Sequence, residues 1–176
     1  GVTIPEKLVW NGVADAGQVV PDGNYSVSIE AVDDNGNRGS VGPFAVVVDN
    51  KAPTAELASP EGSIFSPDGD GSKDTLLFKM SGSAEDKWVG QASDAAGKAL
   101  RTVEYKDIAP VDFTWDGKGD DGKIVPDGVY SFSLAATDRA GNATTKRLEG
   151  LVINTQQPPI GLVIDLAAFS PNGDGS

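Results

Sequence analysis

The chain repeats itself with a period of about one small domain. Trp10 recurs as Trp115, a shift of 115 − 10 = 105, and the phrase FSPDGDGS at 65–72 returns as FSPNGDGS at 169–176, a shift of 104. This period is far above the roughly 20–50 residues of solenoid repeats and matches a separate domain per repeat. The period divides the chain into the C-terminal half of one repeat at 1–50, a complete repeat at 51–157, and the first strand and loop of another at 158–176.

Apolar residues in the complete repeat alternate with polar ones. At the clearest place Tyr130, Phe132 and Leu134 alternate with two serines. A period of two is typical of a half-buried strand, and Gly, Asn and Asp clusters between such runs predict turns. The same patterns predict seven strands in this repeat, at 54–58, 75–81, 87–93, 99–105, 111–115, 129–137 and 143–153. They predict three strands before it, at 5–10, 25–32 and 41–48. No segment has a convincing helical period, so the sequence predicts an all-β fold.

Seven short strands in about 100 residues predict tandem immunoglobulin-like antiparallel β-sandwich domains, with about 105 residues per repeat. Trp88 falls on the third strand, where such sandwiches often bury a tryptophan. Tyr130 follows Pro-Asp-Gly at the start of the sixth strand, which fits a tyrosine corner, and Tyr25 repeats the arrangement. We therefore interpret the conspicuous aromatic residues as structural rather than as a sugar-binding platform, namely Trp88, Trp115, Tyr130, Tyr25 and Trp10.

Composition excludes several classes of function. The net charge of −12 argues against nucleic acid or an anionic membrane surface as a partner and is compatible with divalent cations. The chain has neither cysteine nor histidine, so it offers no thiol nucleophile and lacks the commonest general base. No apolar stretch approaches the ~20 residues of a membrane span, and no membrane insertion is expected. No nucleophile elbow or phosphate loop is visible, so we do not expect an enzyme.

The string WDGKGDDGKIVPDGVYSFSLAATDRAGN at 115–142 resembles the Ig-like domain of the bacterial flagellar hook-capping protein. The phrase FSPDGDGSKD, which begins at Phe65, resembles a phrase of gliding-motility-associated and other bacterial surface-protein modules. The resemblance implies a non-catalytic, extracytoplasmic module that is secreted, periplasmic or at the cell surface. Its partners would be neighbouring Ig-like repeats of the same chain or of other copies. A capping role is not expected, because a single cap subunit does not have tandem Ig-like repeats.

Two Gly-rich acidic loops leave a choice between a solvated turn and a calcium site. An EF-hand starting at Asp68 is excluded, because its sixth position is Lys73 and its twelfth is Lys79. In an Ig-like sandwich the loop after the first strand and the loop after the fifth lie at the same end, where clustered carboxylates would repel one another unless a cation intervened. The candidate Ca²⁺ ligands are Asp68, Asp70, Ser72, Asp74, Asp116, Asp120 and Asp121.

Three kinds of function fit these observations. The first is a structural spacer in a bacterial surface or secreted protein, part of a stalk or filament and stiffened by calcium. The second is an adhesin or carbohydrate-binding module, and the third is an accessory domain of a larger secreted enzyme. The repetition favours the spacer, and the sequence shows no aromatic or variable loop patch that would favour binding.

Overall fold

The computed structural model describes residues 7–59 and 61–161. It contains a hairpin region, residues 7–50, and a sandwich domain, residues 51–157. The strands are β1 Gly23–Val32, β2 Arg38–Val48, β3 Ala55–Ala58, β4 Ile64–Phe65, β5 Leu76–Gly82, β6 Glu85–Asp94, β7 Ala99–Ile108, β8 Phe113–Trp115, β9 Gly128–Thr137 and β10 Ala143–Ile153. The described residues contain no helix that is long and apolar enough to cross a membrane.

Two sheets form the sandwich domain. One has the strand order β4-β10-β9-β6-β7 and the other the order β3-β5-β8. All pairs are antiparallel except that of β4 with β10, which is parallel. The predicted all-β Ig-like fold is therefore confirmed. The two-residue strand β4 was not predicted, because a strand this short leaves no alternation in the sequence.

Alternate residues of facing strands form the core between the sheets. Phe78 of β5 stacks on Phe132 of β9 with 4.1 Å between ring centroids, and both side chains are fully buried. Gly90 lies beside this pair, and a Cβ there would come within 2.9 Å of the Phe132 ring. Each large buried ring removes of the order of 150–250 Å² of surface from water, so these contacts dominate the stability of the domain.

The chain enters and leaves the sandwich domain at opposite ends. At the entry end, the Thr54 N–H donates to Ser83 Oγ (2.9 Å). At the exit end, the Asn154 N–H donates to the Phe65 carbonyl (3.2 Å), next to the first acidic loop. The exit end carries both acidic loops, and the entry end carries the β9–β10 turn.

Strand β7 forms one edge of the five-stranded sheet and is rich in charge. The carboxylate of Glu104 pairs with Lys106 of the same strand (3.4 Å) and with Lys87 of the neighbouring strand. The two ammonium groups, Lys87 first, hold the pKa of Glu104 below its ordinary value. Asp107, near the end of the strand, has a φ of 58°, and the ladder continues past it to the pair of Glu85 and Ile108.

The hairpin region consists of β1 and β2, paired with each other. The inward-facing positions are open to solvent, with Phe44 55% and Val41 51% exposed. A strand was predicted at 5–10, but residues 7–10 form none. The corresponding strand of the sandwich domain, β8, pairs with β5, and the described residues contain no counterpart of β5 beside residues 7–10. Residues 1–6 and the returning phrase at 169–176 lie outside the described residues.

Candidate functional site

The first acidic loop, residues 66–74, is closed by its own backbone. The Ser66 N–H donates to the Lys73 carbonyl (2.8 Å), and the Asp68 N–H donates to the Ser66 carbonyl (2.9 Å). Lys73 has a φ of 55°, a left-handed conformation that a tightly closed loop imposes on it. The predicted ligand Ser72 contributes its N–H, which donates to Asp70 Oδ1 (2.7 Å).

Three carboxylates of this loop converge. Asp68, Asp70 and Asp74 each offer one oxygen within 4.8 Å of the others. The half-buried carboxylate of Asp74 accepts hydrogen bonds from the N–H groups of Gly69 (2.7 Å) and Gly71 (2.8 Å). A carboxylate has about four lone-pair positions, so each group retains acceptor capacity beyond these bonds. An all-oxygen set of this kind suits a hard cation.

The three predicted ligands of the second loop are bonded elsewhere. Asp116 pairs with Lys118 (3.0 Å); burial alone would raise its pKa, but the hydrogen bonds from Lys118 outweigh burial and lower it. Asp120 accepts the Thr102 N–H of β7 (3.1 Å), and Asp121 accepts a backbone N–H within its own loop. The structure therefore brings together three of the six predicted carboxylates, and the other three are bonded outside that cluster.

The two acidic loops nevertheless touch, as the sequence predicted for loops at one end of the sandwich. Gly117 packs directly on Pro67, and a Cβ at Gly117 would lie 2.5 Å from the proline ring. Gly117 also has a φ of 71°, so any larger residue would be strained there as well as crowded. The contact is made by backbone and a ring, and it leaves the acidic side chains of the second loop outside the cluster.

The aromatic residues that we interpreted as structural occupy two different environments. Trp88 and Trp115 are 0% exposed and Tyr130 is 6% exposed. The Tyr130 hydroxyl donates to the Pro126 carbonyl, and in the hairpin region the Tyr25 hydroxyl donates to the Pro21 carbonyl (2.7 Å). Both tyrosine corners are therefore present.

In the hairpin region, Trp10 packs edge-on against Tyr25, with 5.5 Å between ring centroids, and stays 41% exposed. The tryptophan and tyrosine of this pair thus contact each other although no second sheet covers them among the described residues.

At the entry end, sequence reasoning missed a second group of polar residues. An open cleft there is lined by residues of the turn after β9, the start of β6, the end of β7 and the segment before β3. The lining residues are Asp49, Ala84, Glu85, Asp86, Asp107, Asp138 and Arg139. The Ala-Gly-Asn sequence predicts only a turn beside this cleft, but the Asn142 side chain also donates to the Asp49 carbonyl (3.0 Å). The repetition of Asp-x-x-x-Asn at 33–37 and 138–142 was the available signal.

The fold and these corners define an immunoglobulin-like β-sandwich module. Residues 64–140 match the family model of the FlgD Ig-like domain. This part of the chain is therefore similar to the Ig-like domain of FlgD. The basal-body rod modification proteins FlgD of Salmonella typhimurium strain LT2 and of Salmonella typhi are each 32% identical over 87 residues. That alignment covers 48% of this chain and 38% of each relative.

Two solved structures are also similar in their coordinates. Dimeric latent PorU from Porphyromonas gingivalis has a TM-score of 0.47 at 15% sequence identity, over 78% of this chain and 13% of that one. A tetra-tandem repeat from the extending region of a large adhesion protein has a TM-score of 0.43 at 20% identity, over 81% of this chain and 40% of that one.

Proposed function

We propose that the chain is a non-catalytic structural spacer, a stretch of Ig-like repeats in a bacterial surface or secreted protein. The observation that carries the proposal is the placement of the sandwich domain's two ends. The chain enters beside Ser83 and leaves beside Phe65, at opposite ends of the strands. Repeats joined in this way add length along one axis, as a stalk or filament requires.

Two further observations support a non-catalytic spacer that acts outside the cytoplasm. The chain has no cysteine or histidine, and among the described residues we find no nucleophile paired with a base. The relatives from Salmonella are named as basal-body rod modification proteins, and this likeness favours a location outside the cytoplasm. We therefore assign this chain an extracytoplasmic location and partners that are Ig-like repeats of the same or another chain.

Duplication of residues 51–157 within the chain tests the spacer function. Strands β9 and β10, of 10 and 11 residues, span about 35 Å at roughly 3.3 Å per residue. One added repeat should therefore lengthen the maximum dimension in small-angle X-ray scattering by about 35–45 Å. The comparison is with the unduplicated chain at the same concentration. An added repeat that folds back and leaves the maximum dimension unchanged contradicts the spacer function.

We also propose that the first acidic loop binds Ca²⁺ and stiffens the segment that follows the sandwich domain. Asp68, Asp70 and Asp74 supply the carboxylates, and Ser72 and backbone carbonyls complete an oxygen shell of about 6–8 ligands. The loop lies beside Phe65, whose carbonyl holds Asn154 at the start of that segment. A site this exposed fits the weak affinity of extracellular calcium modules, about 10⁻⁴–10⁻³ M.

Thermal unfolding with Ca²⁺ and with chelator tests the cation site. The Ca²⁺ concentration is about 5 mM, five times the upper limit of that affinity range. Ca²⁺ should raise the melting temperature of the chain, because a ligand that binds only the native state stabilises it by mass action. The increase should disappear in the double variant Asp68→Ala with Asp70→Ala. The matched control is Asp116→Ala with Asp121→Ala, which removes two carboxylates from the neighbouring loop and should keep the increase. An increase that survives the first pair excludes this loop as the site.

A further inference from the structure

The segment that joins the two regions is short and makes hydrogen bonds to both. Strand β2 ends at Val48, and Pro53 is already buried in the sandwich domain. We call Asp49–Lys51 the linker. Its own geometry is braced by the Lys51 N–H, which donates to Asp49 Oδ1 (3.0 Å). A segment this short transmits orientation between the regions if both of its sides are held.

On the side of the hairpin region, one carboxylate holds the linker. Asp22 Oδ1 accepts hydrogen bonds from both the N–H (3.0 Å) and the Nδ2 (2.8 Å) of Asn50. The same device recurs 105 residues later, where Asp127 Oδ1 accepts the N–H (3.1 Å) and the Oγ1 hydroxyl (2.9 Å) of Thr155. The aspartate before the penultimate strand of each repeat therefore fixes the segment that leaves the last strand.

On the side of the sandwich domain, an amide holds the linker. Asn142 Nδ2 donates to the Asp49 carbonyl (3.0 Å) and approaches the Lys51 carbonyl (3.5 Å). The same Nδ2 donates to Asp138 Oδ2 (2.9 Å), and the Asn142 N–H donates to Asp138 Oδ1 (2.9 Å). Asp138 thus fixes the direction of the amide, which presents its second N–H to the linker without further loss of rotamer freedom.

The equivalent turn of the hairpin region separates the two roles of this asparagine. Asn37 donates its N–H (2.8 Å) and its Nδ2 (2.8 Å) to the carboxylate of Asp33, as Asn142 does to Asp138. Within residues 7–59 and 61–161, Asn37 makes no hydrogen bond to a linker and is exposed, whereas Asn142 is half-buried. The Asp33–Asn37 turn forms without contacting a linker. The bond from Asn142 to Asp49 is therefore not needed to form a turn of this kind.

We infer that the Asp138–Asn142 turn is a docking surface for the linker of the preceding repeat and that, with Asp22, it forms a two-sided joint that holds consecutive repeats in one orientation. The partner is an extended backbone that offers the carbonyls of Asp49 and Lys51. On the side of the sandwich domain Asn142 contacts only backbone carbonyls, so this contact places no demand on the linker side chains, which differ between Asp-Asn-Lys at 49–51 and Asn-Thr-Gln at 154–156. The inference deepens the proposed spacer function and rests on it.

Trypsin cleavage after Lys51, measured on the intact chain by mass spectrometry, reports whether the linker is docked. Asn142→Ala should raise the initial rate of this cleavage roughly fivefold, the factor that corresponds to one lost hydrogen bond of about 1 kcal/mol. Asn37→Ala is the matched control: it removes the same bond within its turn, touches no described linker and should leave the rate unchanged.

Cleavage after Lys87 detects a general loss of structure, because Lys87 lies in β6, which is paired on both sides, with β7 and with β9. If Asn142→Ala raises both cleavage rates equally, the sandwich domain has been loosened. The variants Asp22→Ala and Asp127→Ala then decide whether the linker is docked. Asp22→Ala lies outside the sandwich domain and should raise cleavage after Lys51 alone, whereas Asp127→Ala, which releases Thr155, should not. The inference is overturned if neither Asn142→Ala nor Asp22→Ala raises the rate after Lys51 relative to its control.

This measurement is independent of the test of the spacer function. In one outcome, cleavage after Lys51 is rapid in the unmodified chain, and the maximum dimension still grows on duplication. This result supports a flexible spacer and contradicts the joint. In the other outcome, cleavage after Lys51 is slow and depends on Asn142, but the maximum dimension does not grow on duplication. This result supports the joint and contradicts the spacer function.

Discussion

Trp10 and Trp115 are equivalent positions with the same local hydrogen bond and different environments. Each indole N–H donates to a backbone carbonyl three residues later, that of Val13 (3.0 Å) and that of Lys118 (2.9 Å). Trp115 is 0% exposed and Trp10 is 41% exposed. The difference is that β5 pairs with the strand of Trp115 and the Phe65 ring lies 5.4 Å from the Trp115 ring, whereas neither has a counterpart beside Trp10 among the described residues. Turns and corners therefore follow from nearby sequence, whereas the burial of Trp115 needs strands that lie earlier in the sandwich domain.

The largest expected effect comes from separating the two regions. Residues 51–157 expressed alone should give a β-type far-UV circular dichroism spectrum and one cooperative thermal transition. Residues 1–50 alone should give no cooperative transition, because a two-stranded hairpin with an uncovered apolar face is marginal in water. A cooperative, monomeric 1–50 would show that the front half of the repeat is dispensable and would break the comparison.

A smaller effect is expected from removing the equivalent tryptophans. Trp115→Ala should lower the free energy of unfolding of the sandwich domain by about 3–5 kcal/mol, as for other buried large aromatic residues. Trp10→Ala should leave this free energy unchanged within about 0.5 kcal/mol, since it lies outside the cooperative unit. Urea unfolding of the intact chain followed by circular dichroism measures both. Equal costs would mean that the hairpin region is packed in solution.

The two tyrosine corners allow a finer comparison. Tyr130→Phe should cost about 1 kcal/mol of unfolding free energy through loss of the bond to Pro126. Tyr25→Phe removes the same bond where Tyr25 is only half-buried and should not change the urea midpoint of the sandwich domain. Urea midpoints of both variants provide the measurement, and a shift with Tyr25→Phe would indicate coupling between the regions.

The smallest effect concerns two carboxyl groups. The side-chain bond from Asn142 lowers the pKa of Asp138, and that from Asn37 lowers the pKa of Asp33. A lowered pKa in the folded state means that each carboxylate stabilises its turn fully above the unfolded pKa of about 3.9, and that this contribution is lost as the pH falls through the folded value. We expect NMR titration to place Asp138 below Asp33, because the uncovered hairpin opens more often. The reverse order would contradict this account.

Much of the fold was predictable, because strands such as β9 carry a clean alternation and turns carry Gly, Asn and Asp. The parallel pair of β4 with β10 was not, since two residues have no period. The meeting of the acidic loops follows from topology and was predicted. The direction of each carboxylate was not, because it depends on which donor lies nearest, as when the Thr102 N–H of a different strand captures Asp120. The contact of Asn142 with the linker likewise joins residues 93 positions apart.

The charged edge at β7 has a consequence for chains built from many such modules. Tethered neighbours hold unpaired sheet edges at high effective concentration, which promotes strand exchange and aggregation during folding. Lys106 and Glu104 carry opposite charges on this edge strand, and both side chains are exposed or partly exposed. An approaching strand would have to desolvate these charges, so the same strand that completes the sheet also discourages mispairing between modules.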